Sequence, residues 1–313
     1  MSKENIEDIR LEQYGSLEFY AKQVVEGFIT GLHKSPYHGF SVEFAEHRQY
    51  NKGESTRHID WKLYARTDKL FVKRFEEETN LRCMLVLDAS SSMHYPKKTG
   101  FDFQNLNKLQ FSIVASAVLM NIFKRQRDAV GLSVYADKVE TLTLSRSSAM
   151  HHKLLFHEME QVLDGMYGER LMTTSTPASL HEIAEKVHQR SLIILFSDMF
   201  DRSGANDEEF FSALQHLKYN KHEVILFHVV DRKHEVEFEF ENRPYRFIDM
   251  ETGEQVKLNP SEIKEEYARR VMEFEKELKL RCSQYHIDMV ETDVNSGFDN
   301  ILLTYLLKRQ RLY

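Results

Sequence analysis

The chain has 313 residues, of which 42% are hydrophobic and 29% charged, and its formal net charge is −7. This composition is typical of a globular protein with one large domain, or one domain with a substantial extension. The acidic balance argues against general binding of nucleic acid or anionic membranes. The two cysteines form no C-x-x-C pair, which argues against a disulfide framework or a thiolate zinc site.

The sequence contains no evident targeting or membrane-spanning segment. The N-terminal residues MSKENIEDIRLEQ are too polar and acidic for a signal peptide. The longest apolar run, Phe111 to Phe123, is too short and too interrupted by polar residues to span a bilayer. We therefore expect a cytoplasmic protein that does not insert into membranes.

Residues 1–80 are predicted to form an N-terminal extension made of a helix and short strands. Apolar residues at helical spacing predict a helix from about Leu11 to His33. The segments Phe40 to Phe44 and Leu70 to Phe75 alternate in the manner of strands.

A dense block of charged and aromatic residues lies between these two strands and contains the single tryptophan of the chain. Arg57, Asp60 and Arg66 are suited to a charge-assisted network around Trp61. One interpretation is that the network packs the extension against the main domain, because a tryptophan in a charged loop more often packs than acts chemically. The other is that the block docks a partner protein, since Trp and Arg are common hot-spot residues. Both interpretations stay open.

Strands and helices alternate from Leu81 onward. The predicted strands are 82–87, 129–135, 139–144, 191–196, 223–230 and 287–291, and the predicted helices are 106–126, 149–163, 177–189, 208–219, 260–282 and 299–310. Apolar strands separated by helices predict an α/β fold with a doubly wound, mainly parallel sheet over residues 81–313. A segment from Glu235 to Val256 alternates like a β-hairpin with a loop and is predicted to be an insertion.

Oxygen-bearing side chains follow two of the apolar strands. Asp88, Ser90 and Ser92 leave the first strand in the pattern D-x-S-x-S, and Asp198 follows the strand LIILF. Thr176 precedes a helix that starts at a proline. Each piece alone is also typical of turns and helix caps. If the two strands are neighbours, however, the side chains converge where ligands bind in open parallel sheets.

This donor set consists of two carboxylates and three hydroxyls. Such ligands suit Mg²⁺ or Mn²⁺ and leave a coordination position open for an outside ligand. No Gly-rich phosphate loop follows the first strand, which argues against a dinucleotide site.

The same residues resemble the metal-ion-dependent adhesion site of von Willebrand factor A-like domains. The D-x-S-x-S pattern, the threonine before a proline and the aspartate after an apolar strand all match. The positions that carry over are Asp88, Ser90, Ser92, Thr176 and Asp198.

The preceding segment resembles the family called domain of unknown function 58. Its hallmark elements appear here as Arg57, Ile59-Asp60-Trp61 and Ala65-Arg66-Thr67, and the later IDMETGEQ also fits. The resemblance covers nearly the whole chain. Glu54 stands where the family usually has Asp. Many relatives begin with membrane-spanning helices, which we do not find in this sequence, so membrane anchoring is not carried over.

The resemblance implies a von Willebrand factor A-like, Rossmann-like fold and a binding module rather than an enzyme. Its cofactor would be Mg²⁺ or Mn²⁺, and a partner protein would supply an Asp or Glu carboxylate to the ion. Family members are often encoded beside MoxR-type AAA+ ATPases and are thought to act with them, as adaptors or co-chaperones in protein assembly or stress response. In some relatives movement of the last helix tunes the site, and the resemblance makes Asp299 to Gln310 the candidate for that element here.

Two other functions stay open. One is a structural scaffold in which the site holds no ion. The other is a magnesium-dependent phosphoesterase that uses Asp88. The sequence disfavours the second, because a D-x-D enzyme needs a carboxylate where Ser90 stands and no general acid at matched spacing is evident.

Overall fold

A computed structural model of the chain describes residues 16–34, 47–49, 61–67, 69–73, 81–98, 100–165, 176–199, 207–250 and 252–312. The chain divides into two compact units. One comprises residues up to Glu26 together with Leu81–Tyr313, and the other comprises Gly27–Asn80. The part of the first helix before Gly27 therefore belongs to the larger unit, whereas the sequence placed it with the extension.

Among the described residues, the first helix and the smaller unit contribute four elements. Helix α1 spans Ser16–Lys34, and helix α2 spans Trp61–Thr67. Strands β1 (His47–Gln49) and β2 (Phe71–Lys73) pair antiparallel. The predicted strand Phe40 to Phe44 lies outside the described residues, and β2 is the described strand within the predicted Leu70 to Phe75.

The larger unit carries the remaining strands and helices. Its strands are β3 (Arg82–Asp88), β4 (Ala129–Tyr135), β5 (Val139–Leu142), β6 (Leu192–Ser197), β7 (Glu223–Val230), β8 (Tyr245–Ile248), β9 (Gln255–Leu258) and β10 (Asp288–Asp293). Its helices are α3 (Lys108–Gln126), α4 (Ala149–Leu163), α5 (Thr176–Lys186), α6 (Asp207–Tyr219), α7 (Pro260–Gln284) and α8 (Asp299–Leu312). A short 3₁₀ turn, Ser91–His94, follows β3.

Six strands form the central sheet in the order β10-β7-β6-β3-β4-β5. The pairings are parallel except that β5 runs antiparallel to β4. The predicted α/β fold with a mainly parallel sheet is therefore confirmed. The chain moves outward from β3 to β4 and β5 and then returns to the other side of β3 with β6. The reversal of strand order lies between β3 and β6, where α/β sheets bind ligands.

Helices cover both faces of this sheet. Strand β3 is buried at every position from Cys83 to Asp88, as expected of a strand enclosed on both sides. On one face a hydrophobic cluster joins Met84 and Val86 to helices α5, α6 and α7. Helix α3 contacts β3 and packs on α8, and Phe111 stacks on Phe298, the residue before α8, with ring centroids 4.9 Å apart. Within the described residues, no helix combines the length and the apolar character needed to cross a membrane.

The insertion after β7 differs from the predicted hairpin. The hairpin consists of β8 and β9, with Tyr245 opposite Leu258, and the alternating residues before it form no strand. Residues Arg232–Val236 instead form a single π-helical turn. Phe238 adopts a positive φ of 49°, and its ring lies 4.3 Å from that of Tyr267 on α7. The alternation of Phe238 and Phe240 thus fills an aromatic cluster rather than one face of a strand, and strands β8 and β9 form the hairpin of the insertion.

Gly131 permits the close approach of β4 to the chain after β5. A Cβ at this position would lie 2.5 Å from the carbonyl oxygen of Thr143 and 2.8 Å from the terminal methyl of Met84. We expect Gly131→Ala to lower the free energy of unfolding by about 1–3 kcal/mol through overpacking. Urea denaturation measures the change. Gly27→Ala, at an exposed position in α1 with nothing within 4 Å, is the control and should be neutral or stabilising. Equal losses in both variants would contradict the steric account.

Candidate metal centre

Two aspartates lie at adjacent strand ends, at the point where strand order reverses. Asp88 is the last residue of β3, and Asp198 directly follows β6. The two strands pair in parallel, with Leu87 opposite Phe196, and both aspartates are fully buried. The sheet therefore places two acidic side chains at one edge, as the sequence argument required.

The Asp88 carboxylate is held by donors from three elements. Its Oδ1 accepts a hydrogen bond of 2.9 Å from the backbone N–H of Ser90. Its Oδ2 accepts hydrogen bonds from the hydroxyl of Ser197 (2.5 Å) and from the hydroxyl of Tyr135 (3.1 Å). Tyr135 ends β4 directly opposite Asp88, and Ser197 ends β6. Three neighbouring strand ends thus fix the orientation of this carboxylate.

The hydroxyls of Ser90 and Ser92 lie on the same side of the 3₁₀ turn, with their Oγ atoms 3.0 Å apart. Mg²⁺ takes octahedral ligands at about 2.1 Å, so neighbouring ligand oxygens lie about 3.0 Å apart. The spacing of the two hydroxyls therefore fits one edge of such an octahedron. Thr176 is buried at the first residue of α5, and its place in the ligand set stays a prediction.

Lys108 brings a cation into the same cluster. Its side chain is fully buried, and its Nζ lies 2.8 Å from Asp198 Oδ2 and 2.5 Å from Glu235 Oε1. Lys108 is the first residue of α3, fixed by a capping box between Asn107 and Gln110. A cation at a helix N-terminus opposes the helix dipole. The two carboxylates must outweigh that repulsion.

Glu235 ties this cluster to the segment after β7. Its Oε2 accepts a hydrogen bond of 2.8 Å from the backbone N–H of Asp231. Its carbonyl oxygen accepts a hydrogen bond of 2.9 Å from the hydroxyl of Tyr267 on α7. The side chain thus joins Lys108 to the π-helical turn, and the backbone joins that turn to α7.

Burial and like charge shape the protonation of the cluster. Burial, followed by the charge of Asp198, raises the pKa of Asp88 to about 6, although hydrogen bonds from Ser197 and Ser90 oppose the rise. Burial would lower the pKa of Lys108, but Asp198 and Glu235 outweigh it and raise that pKa, so the side chain stays an ammonium. The cluster then holds three carboxylates and one ammonium, and two negative charges are left uncompensated when all four groups are ionised. A divalent cation would neutralise them.

His228 supports the backbone beside Asp198. Its Nε2 lies 3.0 Å from the carbonyl oxygen of Asp198, which can only accept, so Nε2 carries the proton. Burial lowers the pKa of His228 to about 4, and the ring is neutral at physiological pH. The ring therefore acts as a neutral hydrogen-bond donor.

The predicted partner-binding block is only partly described. Arg57 and Asp60 lie outside the described residues. Trp61 begins α2, and Arg66 is exposed in its last turn. The choice between packing and docking stays as open as the sequence left it.

The predicted ion site at this sheet edge depends on hydroxyl oxygens as well as carboxylates. No group of three or more His, Cys, Asp or Glu side chains suited to a metal ion occurs in the part of the chain that the structure describes. Of the predicted ligands only Asp88 and Asp198 belong to these types. The donor set nevertheless fits Mg²⁺, which accepts neutral oxygens and water beside one or two carboxylates.

Sequence reasoning missed the residues that surround the two aspartates. Tyr135 follows an apolar strand and resembles any buried aromatic residue, and Glu235 opens a segment that alternates like a strand. Lys108 carries no distinctive signal, because a lysine in a first helical turn is usually solvated. Ser197 is the exception, because the sequence places it with Asp198 at the tip of the strand LIILF, although its hydrogen bond to Asp88 could not be predicted.

Relatives among known proteins are distant. Uncharacterized proteins of Mycobacterium bovis and Mycobacterium tuberculosis are 22% identical over 186 residues, which is 58% of this chain and 55% of each of theirs. The chain thus spans about half the length of the curated relatives that it matches.

Two solved structures are similar at 16% identity. One is a conserved hypothetical protein, BatB, from Bacteroides thetaiotaomicron, with a TM-score of 0.42 over 74% of this chain and 100% of that one. The other is an aerotolerance-related membrane protein from Bacteroides fragilis, with a TM-score of 0.40 over 71% of this chain and 97% of that one. A family profile matches the sequence from residue 46 to residue 277, and the chain therefore belongs to the family described as Protein of unknown function DUF58.

Proposed function

We propose that the chain is a non-enzymatic protein-interaction module that depends on a divalent metal ion. In this proposal the fold is von Willebrand factor A-like, and the ion is Mg²⁺ or Mn²⁺. Its ligands are Asp88, Ser90, Ser92, Thr176 and Asp198. The observation that carries the proposal is the convergence of Asp88 and Asp198 at adjacent, buried strand ends beside two hydroxyls at octahedral spacing.

The residues around the ligands are suited to holding the site ready for an ion. Tyr135 and Ser197 orient the Asp88 carboxylate, and Lys108 holds that of Asp198. When bound, the ion would supply an open coordination position for a carboxylate of a partner protein. Burial of the cluster strengthens its electrostatics, because charges interact more strongly away from water.

The partner in this proposal is a MoxR-type AAA+ ATPase or a client that it acts on, with this chain as an adaptor or co-chaperone. The family resemblance supports this part of the proposal. A purified ATPase of that type tests it, by comparing its retention on the immobilised chain in magnesium and in EDTA. Retention that does not depend on metal would count against the adhesion-type site.

Metal binding itself is tested by calorimetric titration of magnesium and manganese. We expect Ser92→Ala to weaken binding at least about tenfold, since loss of even an outer-shell partner typically costs about 10–100-fold. Ser91→Ala is the matched control, because Ser91 occupies the second x position of the D-x-S-x-S pattern, is not a predicted ligand and lies in the same turn. Equal weakening in the two variants would show that the turn rather than the hydroxyl matters.

The alternative functions give different results. A scaffold without an ion predicts no metal binding by the parent, and partner retention that survives Asp88→Ala and Asp198→Ala. The buried Lys108–Asp198 ion pair favours this alternative, since an internal cation already faces one predicted ligand. A phosphoesterase predicts hydrolysis of a phosphate monoester that is lost in Asp88→Asn.

A further inference from the structure

Lys108 is shared between the proposed ion site and a segment outside it. Its ammonium contacts Asp198, a predicted ligand, and Glu235, which belongs to the π-helical turn Arg232–Val236. The Lys108 side chain is fully buried, and the Glu235 side chain is 18% exposed. Water therefore screens the ion pair between Lys108 and Glu235 only weakly.

A divalent ion at Asp198 would change how the ammonium is shared. The ion would draw the Asp198 carboxylate and repel Lys108, because like charges at short range in a buried site interact strongly. The ion pair between Lys108 and Glu235 would then strengthen. The Glu235 side chain, and the turn that carries it, would be held more firmly in place.

The turn that carries Glu235 leads directly into the insertion. Its backbone hydrogen-bonds Tyr267 of α7, and the aromatic rings of Phe238, Phe240 and Phe247 pack together just beyond it. The hairpin β8–β9 closes the same cluster through Phe247.

We propose that Lys108 and Glu235 couple ion binding to the insertion, so that an ion at Asp88 and Asp198 stabilises residues 232–258. This inference rests on the proposed function, because it requires an ion at that site. In this inference, the partner recognises the conformation that the hairpin β8–β9 adopts when the ion is bound. Lys108 is here a positioning residue and not a ligand.

Hydrogen exchange of the full chain, followed by mass spectrometry with and without magnesium, tests the coupling. In the parent we expect peptides covering residues 232–258 to exchange at least about fivefold more slowly with magnesium, the low end of allosteric coupling. In Glu235→Gln this slowing should disappear at magnesium concentrations that saturate that variant by calorimetry. Glu237→Gln is the matched control, because Glu237 lies two residues away with an exposed side chain paired to Arg232, and it should keep the slowing.

The outcomes separate this inference from the proposed function. Saturable magnesium binding without slower exchange in residues 232–258 would overturn the coupling and leave the ion site intact. Slowing that persists in Glu235→Gln would also overturn it, because the ion would then act by another route. Absence of magnesium binding by the parent would overturn both.

Discussion

Lys108→Met is expected to lower the free energy of unfolding by about 3–5 kcal/mol, the range typical for removing one partner of a buried ion pair. The methionine side chain has about the same volume as that of lysine, but the substitution leaves Asp198 and Glu235 without the cation that contacts both. Uncompensated buried carboxylates must either stay charged at a large cost or take up protons. Chemical denaturation at neutral pH without metal measures the loss.

Lys124→Met is the matched control, on the same helix. Lys124 pairs with Glu18 at 2.7 Å, but both side chains are well exposed, so this loss should stay below about 1 kcal/mol. A double-mutant cycle sharpens the test. Asp198→Asn combined with Lys108→Met should cost at least about 1 kcal/mol less than the sum of the two single changes, because the residues are in direct contact. Comparable losses in the Lys108 and Lys124 variants would show that the buried charge network contributes little.

The strands of the central sheet and the helices around it were predictable, because each element carries its own local pattern of apolar residues. The β3 and β6 strands are continuous apolar runs, and their polar ends are visible as Asp88 and Asp198. Their adjacency could only be supposed from the sequence. It depends on strand order, which β-α alternation does not fix.

Lys108 could not be found in the same way. Its two acidic contacts lie 90 and 127 residues further along the chain, and no local pattern links them. A lysine in a first helical turn is ordinarily a solvated residue, so its burial is a property of the assembled sheet edge. The same holds for Phe238 and Phe240. Their spacing fits a strand, but packing against Tyr267 and Phe247 decides their conformation.

Ion pairs restrict the movement of the last helix, α8, relative to the sheet. Near its C-terminal end, α8 is tied to the sheet by an ion pair between Arg309 and Asp128 and by Lys308, which lies 2.8 Å from Glu223 and 2.9 Å from Asp288. Any movement of α8 that tunes the site must therefore break these pairs or pivot about them. The insertion is joined to the sheet by the ion pair of Arg232 with Glu291 on β10 and to α3 by the ion pair of Glu235 with Lys108.

Asp88→Asn is expected to raise stability at neutral pH in the absence of metal and to abolish magnesium binding. The pKa of Asp88 is raised to about 6 in the folded chain by burial and by Asp198. A carboxyl group with a raised pKa stabilises the fold while protonated. That contribution is complete below about pH 4 and is lost as the pH rises through about 6. At neutral pH the ionised group costs about 3 kcal/mol, which a neutral amide avoids.

An asparagine at this position can also keep the local hydrogen bonds. Its oxygen can accept from the backbone N–H of Ser90, and its amide can donate to the hydroxyls of Ser197 and Tyr135, which can reverse their roles. Asp88→Ala is the control. It removes the same charge but leaves these donors without a partner, so it should destabilise the chain where the asparagine variant does not.

Magnesium is expected to reverse the order of stability between parent and variant. In the proposed site the ion binds ionised Asp88, so its affinity for the parent should fall about tenfold for each pH unit below about 6. Thermal unfolding of parent and variant across this pH range, with and without magnesium, measures both effects. If the asparagine variant is the less stable of the two at neutral pH without metal, the buried charge of Asp88 does not destabilise the fold. Relief of that charge would then not favour binding of a divalent ion at this sheet edge.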